Sequence, residues 1–143
     1  MNKISKNPVA LITGGSRGVG AATAKLLASK GWNVTITCTS SIEEAKNVAK
    51  ECEKFGVEAL CISADVGDES MCIKTVTETV DKWGRIDALV NNAGTTKFVF
   101  NHADLDGLNA EDFLHIYRIN VVGPFQMVKA CKQYLVESNN PSV

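Results

Sequence analysis

The chain has 143 residues with 45% apolar and 22% charged content and a net charge of -1 at pH 7, the profile of one ordinary soluble domain over residues 1–143. No Lys/Arg block offers a surface for nucleic acid or an anionic membrane, and no apolar run approaches the ~20 residues of a membrane span, so neither partner is expected and a cytoplasmic location is. Five cysteines, Cys38, Cys52, Cys61, Cys72 and Cys131, lack CxxC spacing or histidine partners; they read as reduced thiols, with no metal site and no disulfide frame.

Val9 to Thr13 predicts a buried strand, and Val19 to Lys30 a helix with Ala22, Leu26 and Leu27 on one face. "WNVTITC" is β-branched and strand-like, and "SIEEAKNVAKECEKFG" predicts a helix that Gly56 stops. "VEALCISAD" gives a third strand, "DESMCIKTVTETVDKWG" a third helix ending at Gly84, and "IDALVNNAG" a fourth strand. The stretch from Asn109 to Ser138 reads as one long helix, with Asn109 as N-cap and Asp112 three residues on. No repeat or linker interrupts the alternation, which predicts a parallel sheet with helices on both faces.

The glycines between the first strand and the first helix, in "VALITGGSRGVGAATAKLL", are chemically selective. Gly15 and Gly20 have P-loop spacing but are followed by Ala21 and Ala22, so the required Lys and hydroxyl are missing. Gly-x-Gly-x-x-Gly also fails, because Ser16 and Thr23 occupy glycine positions. What remains, Thr13-Gly14-x-x-x-Gly18-x-Gly20, still suits a pyrophosphate: the backbone can approach closely and free helix-start N–H groups face the anion. A glycine-rich tight turn without a ligand is the alternative.

"TGGSRGVG", "ADV" at Ala64 to Val66, "NNAG" at Asn91 to Gly94 and "YRINVVGPF" around Asn120 resemble, in order and spacing, the classical short-chain dehydrogenase/reductase family, and most its 3-oxoacyl-carrier-protein-reductase-like branch. The resemblance covers essentially the whole chain. It implies an α/β fold of Rossmann type, a doubly wound parallel sheet with strand order 3-2-1-4, a nicotinamide cofactor, and hydride transfer between a carbonyl and an alcohol. Carried onto this sequence, Gly14, Gly18 and Gly20 would line the pyrophosphate, with Ser16, Arg17 and Val19 in the same cofactor-binding loop. Asp65 would contact the adenine with Val66 beside it, and Asn91, Ala93 and Gly94, with Asn92 among them, would wall the adenosine ribose. Asp65 and Asp68 could instead cap the third helix, and Asn91 and Asn92 could simply end a strand.

Cofactor choice depends on charge. A carboxylate at the end of the second strand accepts from the ribose 2′-OH of NAD and repels a 2′-phosphate. Here that end reads Thr37-Cys38-Thr39-Ser40-Ser41, with no carboxylate before Glu43. The hydroxyls of Thr39 and Ser40 can donate to phosphate oxygens, and the resemblance places Arg17, just before Gly18, where similar members use a basic side chain on the 2′-phosphate, an anion a guanidinium suits by geometry and charge. NADP(H) is therefore expected over NAD(H), the alternative for Arg17 being a solvated loop cation.

The family's chemistry is implied to need a Ser and a Tyr-x-x-x-Lys pair on one helix face. Val121 stands four after Tyr117 and Ser138 four after Tyr134, so neither tyrosine belongs to such a pair. "NNPSV" is expected to begin a fifth strand, the sequence stopping about one strand short of the active site. Asn120 matches the family's active-site Asn, whose carbonyl anchors a water in the proton relay. Pro124, four residues on, has no N–H to occupy that carbonyl; a kink serving only packing is the alternative.

Two functions follow as expectations: the N-terminal part of an NADPH-dependent carbonyl reductase, inactive as these residues alone, or a non-catalytic dinucleotide-binding module. The first takes a small-molecule carbonyl or alcohol substrate and implies a homodimer or homotetramer through the Asn109–Ser138 helix. Phe98 and Phe100 suggest an apolar side to a pocket, and His102 and His115 receive no role.

Overall fold

The computed structural model describes residues 4–143. Strands β1 (Val9–Ile12), β2 (Asn33–Cys38), β3 (Ala59–Ser63) and β4 (Ala88–Val90) form one sheet in the order β3-β2-β1-β4, and every pairing is parallel. Helices α1 (Gly18–Ser29), α2 (Ile42–Glu53) and α3 (Glu69–Trp83) are the crossovers, and α4 (Ala110–Tyr117) and α5 (Gly123–Glu137) follow β4. The expected strand order holds. Beside β4, Ser142 pairs with Ala88 in parallel sense, with Leu89 N–H donating to Ser142 O at 3.0 Å and Ser142 N–H to Asp87 O at 3.1 Å. This is where the fifth strand was expected.

The side-chain alternation of β1 sorts the core into two layers. Ala10 and Ile12 join Ala24, Ala28, Val48 and Cys52 on the α1–α2 face. Leu11 joins Val76, Leu89, Met127 and Cys131 on the α3–α5 face. Burial on both sides explains why β1 is apolar throughout rather than alternating. β1 ends one residue short of the expected Thr13, whose N–H still donates to Val90 O at 3.0 Å.

The expectation of one helix from Asn109 to Ser138 needs correction. The Asn109–Asp112 capping box does start α4, but Arg118–Val122 form a π-helical turn before α5. Pro124 sits at the start of α5 and has no N–H to give, and the Gly123 N–H reaches back five residues to Arg118 O. Widening the turn accommodates the proline where a continuous α-helix would clash. Gly123 is required by packing, since a Cβ there would lie 2.7 Å from Val66 Cγ2.

At the opposite end of the sheet, the buried Asp87 carboxylate gathers three segments. It accepts from Val9 N–H at 2.8 Å, from Arg85 Nε and Nη2 at 2.8 and 2.7 Å, and from Ser138 Oγ at 2.6 Å. Burial pushes its pKa up, but the Arg85, Ser138 and Val9 hydrogen bonds outweigh burial and hold it below the usual carboxylate value.

Candidate functional site

A cleft of about 560 Å³ opens at the C-terminal ends of the strands. It lies where the order turns from β1 toward β2 on one side and β4 on the other, the place where open parallel sheets bind ligands. Its walls are the β1–α1 loop (Gly14, Ser16, Arg17), the end of β2 (Thr37 to Ser41), the β3–α3 turn (Ala64, Asp65, Val66) and the segment after β4 (Asn92 to Thr95). Gly18, Val19 and Gly20 do not line it; they open α1.

The glycine loop is locked against the β4 segment. Asn92 Nδ2 donates to Thr13 O at 3.0 Å and to Gly14 O at 2.9 Å, while Thr13 Oγ1 accepts from Asn92 N–H at 3.1 Å and Ala93 N–H at 3.0 Å. Gly14 has φ +65, and a Cβ on it would lie 2.9 Å from Ala93 Cα. A Cβ on Gly20 would lie 2.5 Å from both Asn92 Nδ2 and Gly14 O. These glycines let the two loops touch, and the Asn92 amide spends both hydrogens on holding them together. Thr13, which the sequence reading left without a role, is the other half of this lock.

Above the loop, α1 begins with no side-chain cap and no acidic residue in its first turn, so its orphan N–H groups and positive dipole end are uncompensated. Arg17 is exposed, and among the described residues its guanidinium has no ion pair or hydrogen-bond partner. Across from it, the end of β2 presents Thr39 and Ser40. Glu43, the next carboxylate, pairs with Lys46 at 2.7 Å. Cys38, also on the wall, has its thiol pushed up by burial. Thr37 Oγ1 is buried with no hydrogen-bond partner.

On the far side, Asp65 and Asp68 separate in role. Asp68 caps α3, accepting from Ser70 and Met71 N–H at 2.8 and 3.3 Å, and these bonds, with Ser70 Oγ foremost, hold its pKa down. Asp65 does not cap the helix: it accepts from Gly67 N–H at 2.8 Å and lines the cleft. Val66 O accepts from Gln126 Nε2 at 2.7 Å, and Gly67 O from Arg118 Nε at 2.8 Å.

Asn120 lies in the π-turn, and its side chain forms a two-point bond with Thr95: Thr95 N–H donates to Oδ1 and Nδ2 donates to Thr95 O, both at 2.8 Å. The sequence reading drew attention to the carbonyl of Asn120 and missed this side-chain pin. Neither Asn120 nor Asn91 is among the cleft-lining residues. His115, assigned no role from sequence, does line the cleft together with Ile119, four residues on along the same helical face.

Phe98 and Phe100 stand apart from this cleft. They meet edge-on with ring centroids 5.0 Å apart, and Phe98 with Val99, Leu105, Leu108 and Phe113 lines a separate groove of about 390 Å³. Among the described residues no helix is long and apolar enough to cross a membrane, and no group of His, Cys, Asp or Glu could hold a metal ion. All five cysteines are unpaired, and burial pushes Cys52, Cys61 and Cys72 up to about 11 and Cys131 to about 12.

Comparison with known proteins agrees with this geometry. The family model for short chain dehydrogenase matches residues 8–143. A Streptomyces violaceoruber protein assigned as ketoacyl reductase 2 of the granaticin polyketide synthase is 38% identical over 136 residues, covering 95% of this chain and 53% of the relative. A Burkholderia xenovorans structure assigned to the short-chain dehydrogenases/reductases superimposes with a TM-score of 0.90 at 39% identity, over 94% of this chain and 55% of that one. The 3-oxoacyl-[acyl-carrier protein] reductase from Brucella melitensis, solved in complex with NAD, gives a TM-score of 0.81 at 32% identity over 95% and 52% of the two chains. The chain thus spans about half the length of the relatives it matches.

Proposed function

This chain belongs to the short-chain dehydrogenase/reductase family, and we propose that it forms the cofactor-binding part of an NADPH-dependent oxidoreductase acting between a carbonyl and an alcohol. The glycine cradle supports a dinucleotide, because the loops are already in contact at Gly14, Gly20 and Asn92 and the uncapped N–H groups of α1 stand beside the cleft. Gly14 and Ser16, with the α1 N–H groups of Gly18, Val19 and Gly20, hold the pyrophosphate. Asp65 and Val66 meet the adenine, and Ala93 and Gly94 the adenosine ribose. A bound nicotinamide supplies the hydride. Asn120 fixes the segment after β4 through Thr95, and its carbonyl anchors a water in the proton relay.

The observation that carries the cofactor choice is the unpaired Arg17 facing a β2 end with hydroxyls and no carboxylate. Arg17, Thr39 and Ser40 line the same cleft and offer donors to a dianionic 2′-phosphate, whereas the 2′-OH of NADH finds no carboxylate at the end of β2. The Brucella relative holds NAD, so it is this corner, rather than membership of the branch, that argues for NADPH. This reading takes the protein as cytoplasmic and as a homodimer or homotetramer through α4 and α5, the latter supported by the exposure of Phe113, Leu114, Tyr117 and Phe125. Titration of the chain with NADPH and NADH by fluorescence tests the reading, with tighter NADPH binding expected. Tighter NADH binding would overturn it.

A further inference from the structure

The β3–α3 turn that carries Asp65 is held from the other half of the sheet. Arg118 Nε donates to Gly67 O at 2.8 Å, and Gln126 Nε2 donates to Val66 O at 2.7 Å. Gly67 is pinched between these groups: a Cβ on it would lie 2.9 Å from Ile119 Cδ1, 3.0 Å from Arg118 Nε and 3.1 Å from Asp65 Oδ1. The turn therefore has no slack on the side facing α4 and α5.

The π-turn explains how Arg118 reaches it. One extra residue in a turn offsets the helix on one side from that on the other by about 100°. α5 can thus keep Met127, Cys131 and Leu135 in the core while Arg118 and Ile119 bear on Gly67 and His115 and Ile119 line the cleft.

Within the turn, Gly67 N–H occupies Oδ1 of Asp65 at 2.8 Å. Among the described residues Oδ2 has no hydrogen-bond partner, and Asp65 lines the cleft. An acceptor oriented in this way fits a donor such as an exocyclic amino group. We propose that Arg118 is a positioning residue for the adenine end of the cleft: by gripping the Gly67 carbonyl it fixes the Asp65 carboxylate where it accepts from the adenine amino group. This rests on the dinucleotide reading above.

The test is a binding ratio rather than an activity. NADPH is compared with its hypoxanthine analogue, in which an oxo group replaces the adenine amino group, by fluorescence titration of the full chain. The wild type is expected to bind NADPH at least tenfold more tightly, a ratio in the range for one lost hydrogen bond to a charged acceptor. Arg118→Leu, which removes the donor but keeps bulk over Gly67, brings the two ligands to within about twofold of each other. Arg118→Lys, which can still donate to the carbonyl, restores most of the ratio. An unchanged ratio in Arg118→Leu overturns the proposal, as does a loss of affinity equal for both ligands or a wild type that does not discriminate. Should Arg118→Leu fail to fold, Arg118→Met, which also lacks the donor to Gly67 O, takes its place; a collapsed ratio supports the proposal and an intact one overturns it. A wild type that binds neither NADPH nor NADH defeats the dinucleotide reading itself, and is distinct from every outcome above.

Discussion

The two corners of the cleft are built on opposite principles. At the glycine corner the polar groups find partners inside the protein: four hydrogen bonds join Thr13 and Gly14 to Asn92 and Ala93 across the β1–α1 and β4 loops, and there is no room for a Cβ on Gly14 or Gly20. At the β2 corner Arg17, Thr39 and Ser40 are exposed, and Arg17 has no protein partner among the described residues. The first corner is preorganised and, on the proposed function, would serve either dinucleotide alike. The second leaves its bonding capacity to a ligand, and that is where a choice between ligands can be made. Damage to the first should lower affinity for both cofactors together, and damage to the second should change their ratio.

The largest effect belongs to Gly20→Ala. The added Cβ would meet Asn92 Nδ2 and Gly14 O at 2.5 Å, and one of these contacts is backbone, so the loop itself must move. NADPH and NADH affinities are expected to fall together, by roughly a hundredfold or more, equivalent to ~2.7 kcal/mol. Calorimetric titration checks this; a change in the NADPH:NADH ratio instead of a joint loss would erase the distinction between the corners.

Thr13→Val comes next. It keeps the volume but leaves the Ala93 N–H without its acceptor, while the Asn92 N–H retains Val90 O at 3.0 Å, at ~1–3 kcal/mol for the one group left unsatisfied. Urea denaturation is expected to show the stability loss without ligand. An unaltered midpoint would mean that water replaces the hydroxyl and that the corner is less closed than its geometry implies.

These corners also differ in how much the sequence disclosed. The strand order followed from the β–α alternation together with the family motifs, and the glycine loop was visible as a motif because its backbone requirements restrict residue type. Thr13 stood in that motif, but its partner lies 79 residues away and no local pattern marks such a pair. Arg118 and Gln126 were hidden for the same reason, bonding carbonyls 51 and 60 residues distant. Pro124 signalled an irregularity, yet whether the helix would kink or widen depended on tertiary packing around Gly123 and Val66. The missing carboxylate after β2 was fully legible, since an absent charge can be read directly along the chain.

Arg17→Ala sharpens the comparison at the open corner. NADPH affinity is expected to fall by about 1.5–3 kcal/mol, the range for a hydrogen bond to a charged group, with NADH nearly unaffected because it carries no 2′-phosphate. Cys38→Asp acts in the opposite sense, offering the ribose of NADH a carboxylate and repelling NADPH. Equal weakening of both cofactors by Arg17→Ala would show that the loop rather than the phosphate site had been damaged.

The smallest effect lies away from both corners, at Asp87, and separates fold stability from cofactor choice. Burial raises the pKa of this carboxyl while Arg85, Ser138 and Val9 lower it, and only the balance of these opposed causes remains as a lowering. A folded-state pKa below the unfolded value of about 3.9 means that the charged form stabilises the fold. That contribution is fully present above the unfolded pKa and is lost as pH falls through the lower folded value, so its window opens below about pH 4. Asp87→Asn keeps the shape but removes the titration, and should flatten this part of the stability profile between pH 5 and pH 2.5. Other carboxylates held low, such as Asp68 and Asp112, titrate in both proteins, so the difference between the two urea profiles isolates Asp87. Identical acid slopes would show that Asp87 titrates alike in the folded and unfolded chains, leaving its bonds to Arg85, Val9 and Ser138 as geometric ties between β1, β4 and the end of α5. In either outcome the NADPH:NADH ratio at neutral pH should match the wild type, because Asp87 joins the start of β1 and the cleft lies at the other ends of the strands.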